Sequence, residues 1–128
     1  MTECSDCNLL GVGNLSIVPA LELTDLDADH WLLALPGVSL MVFTGEGCSS
    51  CRWARARLPS LALPVDRLCW IDAGRNGGLV ERYEVFHLPA LFLVRDGEFL
   101  GAVHASLRPE PLIEALRDGL SRPAEELP

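Results

Sequence analysis

The chain is 128 residues long, about half apolar, with few aromatics and a formal charge of −8 at pH 7. That length supports one domain with a single core, and the acidic balance argues against nucleic acid and anionic membrane surfaces as partners. No apolar run approaches the roughly 18 residues of a membrane-spanning helix.

The opening Met1-Thr2-Glu3-Cys4-Ser5-Asp6-Cys7 is acidic and polar and fits no secretory signal. The expected compartment is therefore the cytoplasm. There, an odd count of five cysteines points to reactive or metal-binding thiols more than to a disulfide framework. Residues 1–13, with Cys4, Cys7, Gly11 and Gly13, read as a flexible tail. Residues 14–120 read as the domain, and 121–128 as a polar C-terminal tail.

Within the domain, Asn14 to Leu23 alternates weakly and predicts a first strand, interrupted by Pro19. Asp25 or Asp27 is placed to cap a short helix through Leu35, with Trp31, Leu32 and Leu35 inward. Pro36-Gly37 ends it. Val38 to Thr44 is nearly all apolar, as a parallel strand covered on both faces would be. Gly45-Glu46-Gly47 turns into a helix from about Cys48 to Ala62, which Pro59 should kink or end. Val65 to Ile71 predicts a second buried strand that carries Cys69. Asn76 to Val85 predicts a short helix. Ala90–Val94 and Glu98–Val103, joined by Asp96-Gly97, carry a strong hairpin signal. The last helix begins near Pro109 and Pro111, with Leu112, Ile113, Ala115, Leu116 and Leu120 as its apolar stripe. The order is β-α-β-α-β-α-β-β-α. It implies an α/β three-layer sandwich, a mixed four- to five-stranded sheet with helices on both faces.

Cys48-Ser49-Ser50-Cys51 is the motif that carries chemistry. It falls at a strand-to-helix junction, where free backbone N–H groups and the helix dipole favour a thiolate. Cys48 is the expected nucleophile. It would attack a substrate disulfide, and Cys51, one turn in, would resolve the mixed disulfide. Zinc sites use the same spacing, and inert structural thiols are a further alternative. Cys69 reads as a small buried hydrophobe, and His30 and His104 as surface or edge residues without metal-ligand spacing.

The segments Leu40–Cys51, Leu68–Asp72 and Leu88–Glu98 resemble the thioredoxin family over roughly residues 20–120. The resemblance implies a cis-proline loop at Pro89 beside the cysteines, with substrate pairing along its backbone. Leu88, Pro89, Gly47 and His87 are the substrate-binding residues it suggests. Several family features are replaced. Gly47 stands where tryptophan is usual, and Ser49-Ser50 fills the intervening dipeptide. Val42 takes the place of a buried acid and Leu68 that of a buried lysine. Pro59 comes later than the usual helix proline, and Ala105 replaces a glycine. Without the buried acid, Glu46 and His87 are the nearest candidate bases for Cys51.

The function expected is a thiol–disulfide oxidoreductase that reduces protein disulfides without a bound cofactor or metal. A reductase or glutathione system would reset it. The alternative is a thioredoxin-fold binding or assembly-chaperone module with little or no redox activity. Cys4 and Cys7 are candidates for an auxiliary redox relay or a second metal-binding pair.

Overall fold

The computed structural model describes residues 18–128. The expected tail 1–13, with Cys4 and Cys7, and the start of the expected first strand lie outside the described residues. The elements follow the expected order. They are β1 (Ala20–Leu23), α1 (Ala28–Ala34), β2 (Val38–Thr44), α2 (Ser49–Arg57), β3 (Arg67–Asp72), α3 (Gly77–Arg82), β4 (Ala90–Arg95), β5 (Glu98–Val103) and α4 (Pro109–Leu120).

The five strands form one sheet in the order β1-β3-β2-β4-β5. β1 and β2 run parallel to β3, and β4 runs antiparallel to both β2 and β5. Alternation along the strands divides the core in two. Leu40, Val42, Leu68, Trp70, Leu91 and Leu93 face α2 and α4 and pack on Ala54, Leu58, Leu112 and Leu116. Met41, Phe43, Cys69, Ile71, Phe92 and Val94 face α1 and α3 and pack on Ala28, Leu32, Leu79 and Tyr83. Two-sided cover explains why β2 reads as an unbroken apolar run. Asp96 and Gly97 both take positive φ (53° and 81°), the turn that matches the twist of a hairpin.

Four local expectations are corrected. Asp25 caps α3 rather than α1, accepting from the amides of Leu79 at 2.8 Å and Gly78 at 3.2 Å. Asp27 is the N-cap of α1 but makes no side-chain bond to its amides. Trp31 is 39% exposed, because α1 is only two turns long and Ala28 and Leu32 fill its inner face. The helix expected to run from Cys48 to Ala62 is regular only to Arg57; Pro59 ends its regular part, as expected, in a 3-10 turn, Leu58–Ser60. Residues 121–128 also do more than trail away as a polar tail. Glu125 bridges Phe99 with two backbone hydrogen bonds, and Arg122 donates to the Leu100 and Ala102 carbonyls. This segment covers part of the β5 edge, where unpaired backbone would otherwise meet solvent.

Candidate active site

β2 delivers the chain to the site through a tight turn. Gly47 adopts φ +74°, a conformation glycine takes without the penalty a Cβ brings. A Cβ there would meet nothing within 4 Å, so the demand is conformational rather than spatial. The tryptophan usual before the first cysteine is therefore not simply deleted; the turn is built for glycine. Gly45 answers a different need. A Cβ on it would lie 2.8 Å from Leu88 Cδ1, so its lack of a side chain leaves room for the Leu88 side chain against the turn.

Cys48 is the N-cap of α2, with extended backbone (φ −102°, ψ 109°). The Cys51 amide donates to its Sγ at 3.2 Å. The two sulfurs stand at disulfide distance, with Cα atoms 5.2 Å apart. Cys48 is half-buried while Cys51 is only 2% exposed. An incoming sulfur therefore reaches Cys48 first. Once the pair is opened, the same amide and the dipole of α2 face the Cys48 sulfur and favour its thiolate. α2 ends on Arg55 and Arg57, whose charges match that dipole.

The Leu88–Pro89 peptide bond is cis, and the Leu88 carbonyl oxygen lies 3.7 Å from Cys48 Sγ. This brings two of the expected binding residues, Leu88 and Pro89, beside the cysteine pair, with Gly47 in the adjoining turn. His87 is exposed, and its ring faces that of His104 with centroids 6.2 Å apart. That pairing was not legible in the sequence, where His104 reads only as an edge residue. Its position just past β5 and that of His87 just before β4 place both at one end of the hairpin.

Behind the pair, Cys51 shares a cleft with Glu46, Asp72, Arg52 and Arg55. Glu46 is one of the expected bases; Asp72, at the end of β3, is a second carboxylate that the sequence does not signal. His87 does not line the Cys51 cleft; it lines a groove beside Ser50 and Pro89 and shares another cavity with Glu46 and Asp72. Arg55 also pairs with Glu22 and lies over the Trp70 ring, 4.4 Å from its centroid. The Val42 and Leu68 side chains are fully buried in an apolar cluster, so the cleft carboxylates are reached from the side and not from the core.

Cys69 is a free, fully buried thiol. Burial pushes its pKa up to about 11, only partly opposed by a hydrogen bond with Ser39 and the charge of Arg67. Among the described residues, no cluster of three or more His, Cys, Asp or Glu is arranged to hold a metal, and no helix is long and apolar enough to cross a membrane.

No protein-family model matches the sequence, and no curated protein does. Solved structures match in fold. A thioredoxin from Trypanosoma brucei brucei is 21% identical, with a TM-score of 0.66 over 84% of this chain and 96% of that one. A mutant thioredoxin from Halobacterium salinarum is 25% identical, with a TM-score of 0.59 over 83% of this chain and 91% of that one. The chain has the thioredoxin-like fold, and its Cys48–Cys51 pair stands as a C-x-x-C motif within it.

Proposed function

We propose that the protein is a thiol–disulfide oxidoreductase that reduces protein disulfides through Cys48 and Cys51. The carrying observation is the asymmetry of the pair. Cys48 is accessible at a helix N-cap with an amide on its sulfur, and Cys51 is shielded one turn in. The Cys48 thiolate attacks one sulfur of a substrate disulfide. A Cys48–substrate bond forms, the substrate S–S bond breaks, and the departing thiolate takes a proton from solvent. Cys51 then gives up its proton, and its thiolate attacks Cys48 Sγ. The Cys48–Cys51 bond forms, the mixed disulfide breaks, and the second substrate thiol leaves. Two electrons pass from the cysteine pair to the substrate. A dithiol reductase or the glutathione system returns them.

The proton from Cys51 has two acceptors in reach of its cleft, Glu46 and Asp72. They take the part that a buried acid at position 42 would otherwise play. The cycle needs no bound cofactor, and a reducing compartment such as the cytoplasm would keep the pair poised as a donor. The test is turnover of insulin disulfides by full-length protein with dithiothreitol as donor. Turnover that Cys48→Ser abolishes supports the reading; no turnover by the intact protein overturns it.

A second reading, a binding or assembly-chaperone module, draws support from Phe86, which is 87% exposed beside the loop. A partner retained equally by wild type and by a Cys48→Ala, Cys51→Ala variant would favour it. A partner trapped only by Cys51→Ser would favour the redox cycle.

A further inference from the structure

Residues two apart on a helix point to nearly opposite faces. On α2 this separates two surroundings of the cysteine pair. Arg52 and Arg55 face the cleft with Glu46 and Asp72. Ser50 and Trp53 face the other way, onto a groove completed by Pro89, His87, His104 and Leu107. The groove continues to Ser106 and Arg108.

Its lining carries one formal charge, the Arg108 guanidinium. Ser49, Ser50, His87, His104, Ser106 and Arg108 all bring hydrogen-bond donors, and no carboxylate lines it. This runs against a chain that has 18 Asp and Glu to 10 Lys and Arg. Acidic side chains line the adjoining cavities: Glu46 and Asp72 share one with Cys51 and another with His87 and Leu88, and Glu84 shares a third with both histidines.

The donors are also arranged. His87 and His104 are both exposed, with ring centroids 6.2 Å apart and planes tilted by 54°. Each imidazole offers at least one N–H whatever its charge. Arg108 is turned by a bond from its Nε to Ser106 Oγ at 3.3 Å. The two-nitrogen edge of a guanidinium matches a carboxylate in geometry.

We infer that this groove selects disulfides flanked by acidic residues. It rests on the oxidoreductase reading above and names its substrate class. The occupant is an extended segment of a disulfide-bearing protein, lying along the Leu88–Pro89 loop. Asp or Glu side chains next to its reacting cysteine meet His87, His104 and Arg108. Long-range repulsion from the acidic protein is screened beyond about 8 Å at physiological ionic strength, so the local donors decide.

The test uses two cyclic peptides with one disulfide each, identical except for Asp or Lys on both sides of the cysteines. Pre-reduced full-length protein is mixed with each, and with the neutral bis(2-hydroxyethyl) disulfide. Each peptide rate is divided by that of the same peptide with dithiothreitol, which removes the flanking charges' own effect on the disulfide. We expect the corrected rate to favour the Asp peptide about fivefold, the scale of one or two exposed charge pairs. The preference should fall towards one in high salt and in a His104→Gln, Arg108→Gln variant. Equal corrected rates, a Lys preference, or a ratio that the variant leaves unchanged overturns the inference, with the oxidoreductase reading intact if the neutral disulfide is reduced. Failure to reduce any of the three overturns both.

Discussion

At the start of α2, Cys48 is half-exposed, its sulfur accepts from a backbone amide, and a helix dipole points at it. In the middle of β3, Cys69 is fully buried, paired on both sides by the parallel strands β1 and β2, and its pKa is pushed up to about 11. The side chain is the same in both places. The difference lies in the backbone. A helix start offers unpaired N–H groups to a sulfur, whereas a central strand has spent its N–H groups on the ladder and leaves Cys69 among mostly apolar neighbours, with Ser39 and Arg67 opposing its burial only in part. Reactivity of a thiol in this fold is set by which of those two positions it occupies.

The largest effect should come from exchanging roles. Cys48→Ser is expected to lower disulfide reduction by at least about a thousandfold, the scale of losing a nucleophile. Cys69→Ala is expected to leave it within about twofold. Steady-state insulin reduction reads both. A comparable loss in the two variants would break the contrast.

The burial of Cys69 makes a pH prediction. Between its ordinary value of 9.0 and about 11, the unfolded chain gives up this proton while the folded chain keeps it. The folded state then binds more protons, so stability falls as pH rises through that window, by up to about 3 kcal/mol. Urea unfolding across pH 8–11 should show a steeper decline in wild type than in Cys69→Ala. Parallel slopes would mean that Cys69 is solvated.

Cys69→Ser should cost about 1–3 kcal/mol in urea unfolding under reductant, since a hydroxyl is harder to bury than a thiol. Cys48→Ser should cost less than about 0.5 kcal/mol under the same conditions. The smallest effect tests the turn that presents Cys48. Gly47→Ala forces a Cβ into φ +74° and should lower stability by about 1 kcal/mol. Gly77→Ala, in the first turn of α3 with open space around it, should not.

The element order, the two-sided burial of β2 and the Asp96-Gly97 hairpin were legible because each is a local pattern in the chain. So was the placing of Cys48-Ser49-Ser50-Cys51 at a strand-to-helix junction. The misses share a different cause. Asp25 reaches across the fold to cap α3, His87 meets His104 only after the hairpin closes, and Glu125 pairs with Phe99 on the edge strand. None of these contacts has a sequence period. Asp72 carries no local signal for the same reason: it lines the Cys51 cleft only because β3 pairs beside β2. Gly47 has a local signal too, since a glycine just before a helix cap is as much a φ requirement as an absent side chain.

The most direct test is a redox titration of the full-length protein with thiol alkylation and peptide-level mass readout. Cys48 and Cys51 are expected to convert together in one reversible two-electron transition, while Cys69 stays unalkylated until the protein unfolds. No reversible transition of that pair, or alkylation of Cys69 in the folded protein as fast as that of Cys48, would contradict it.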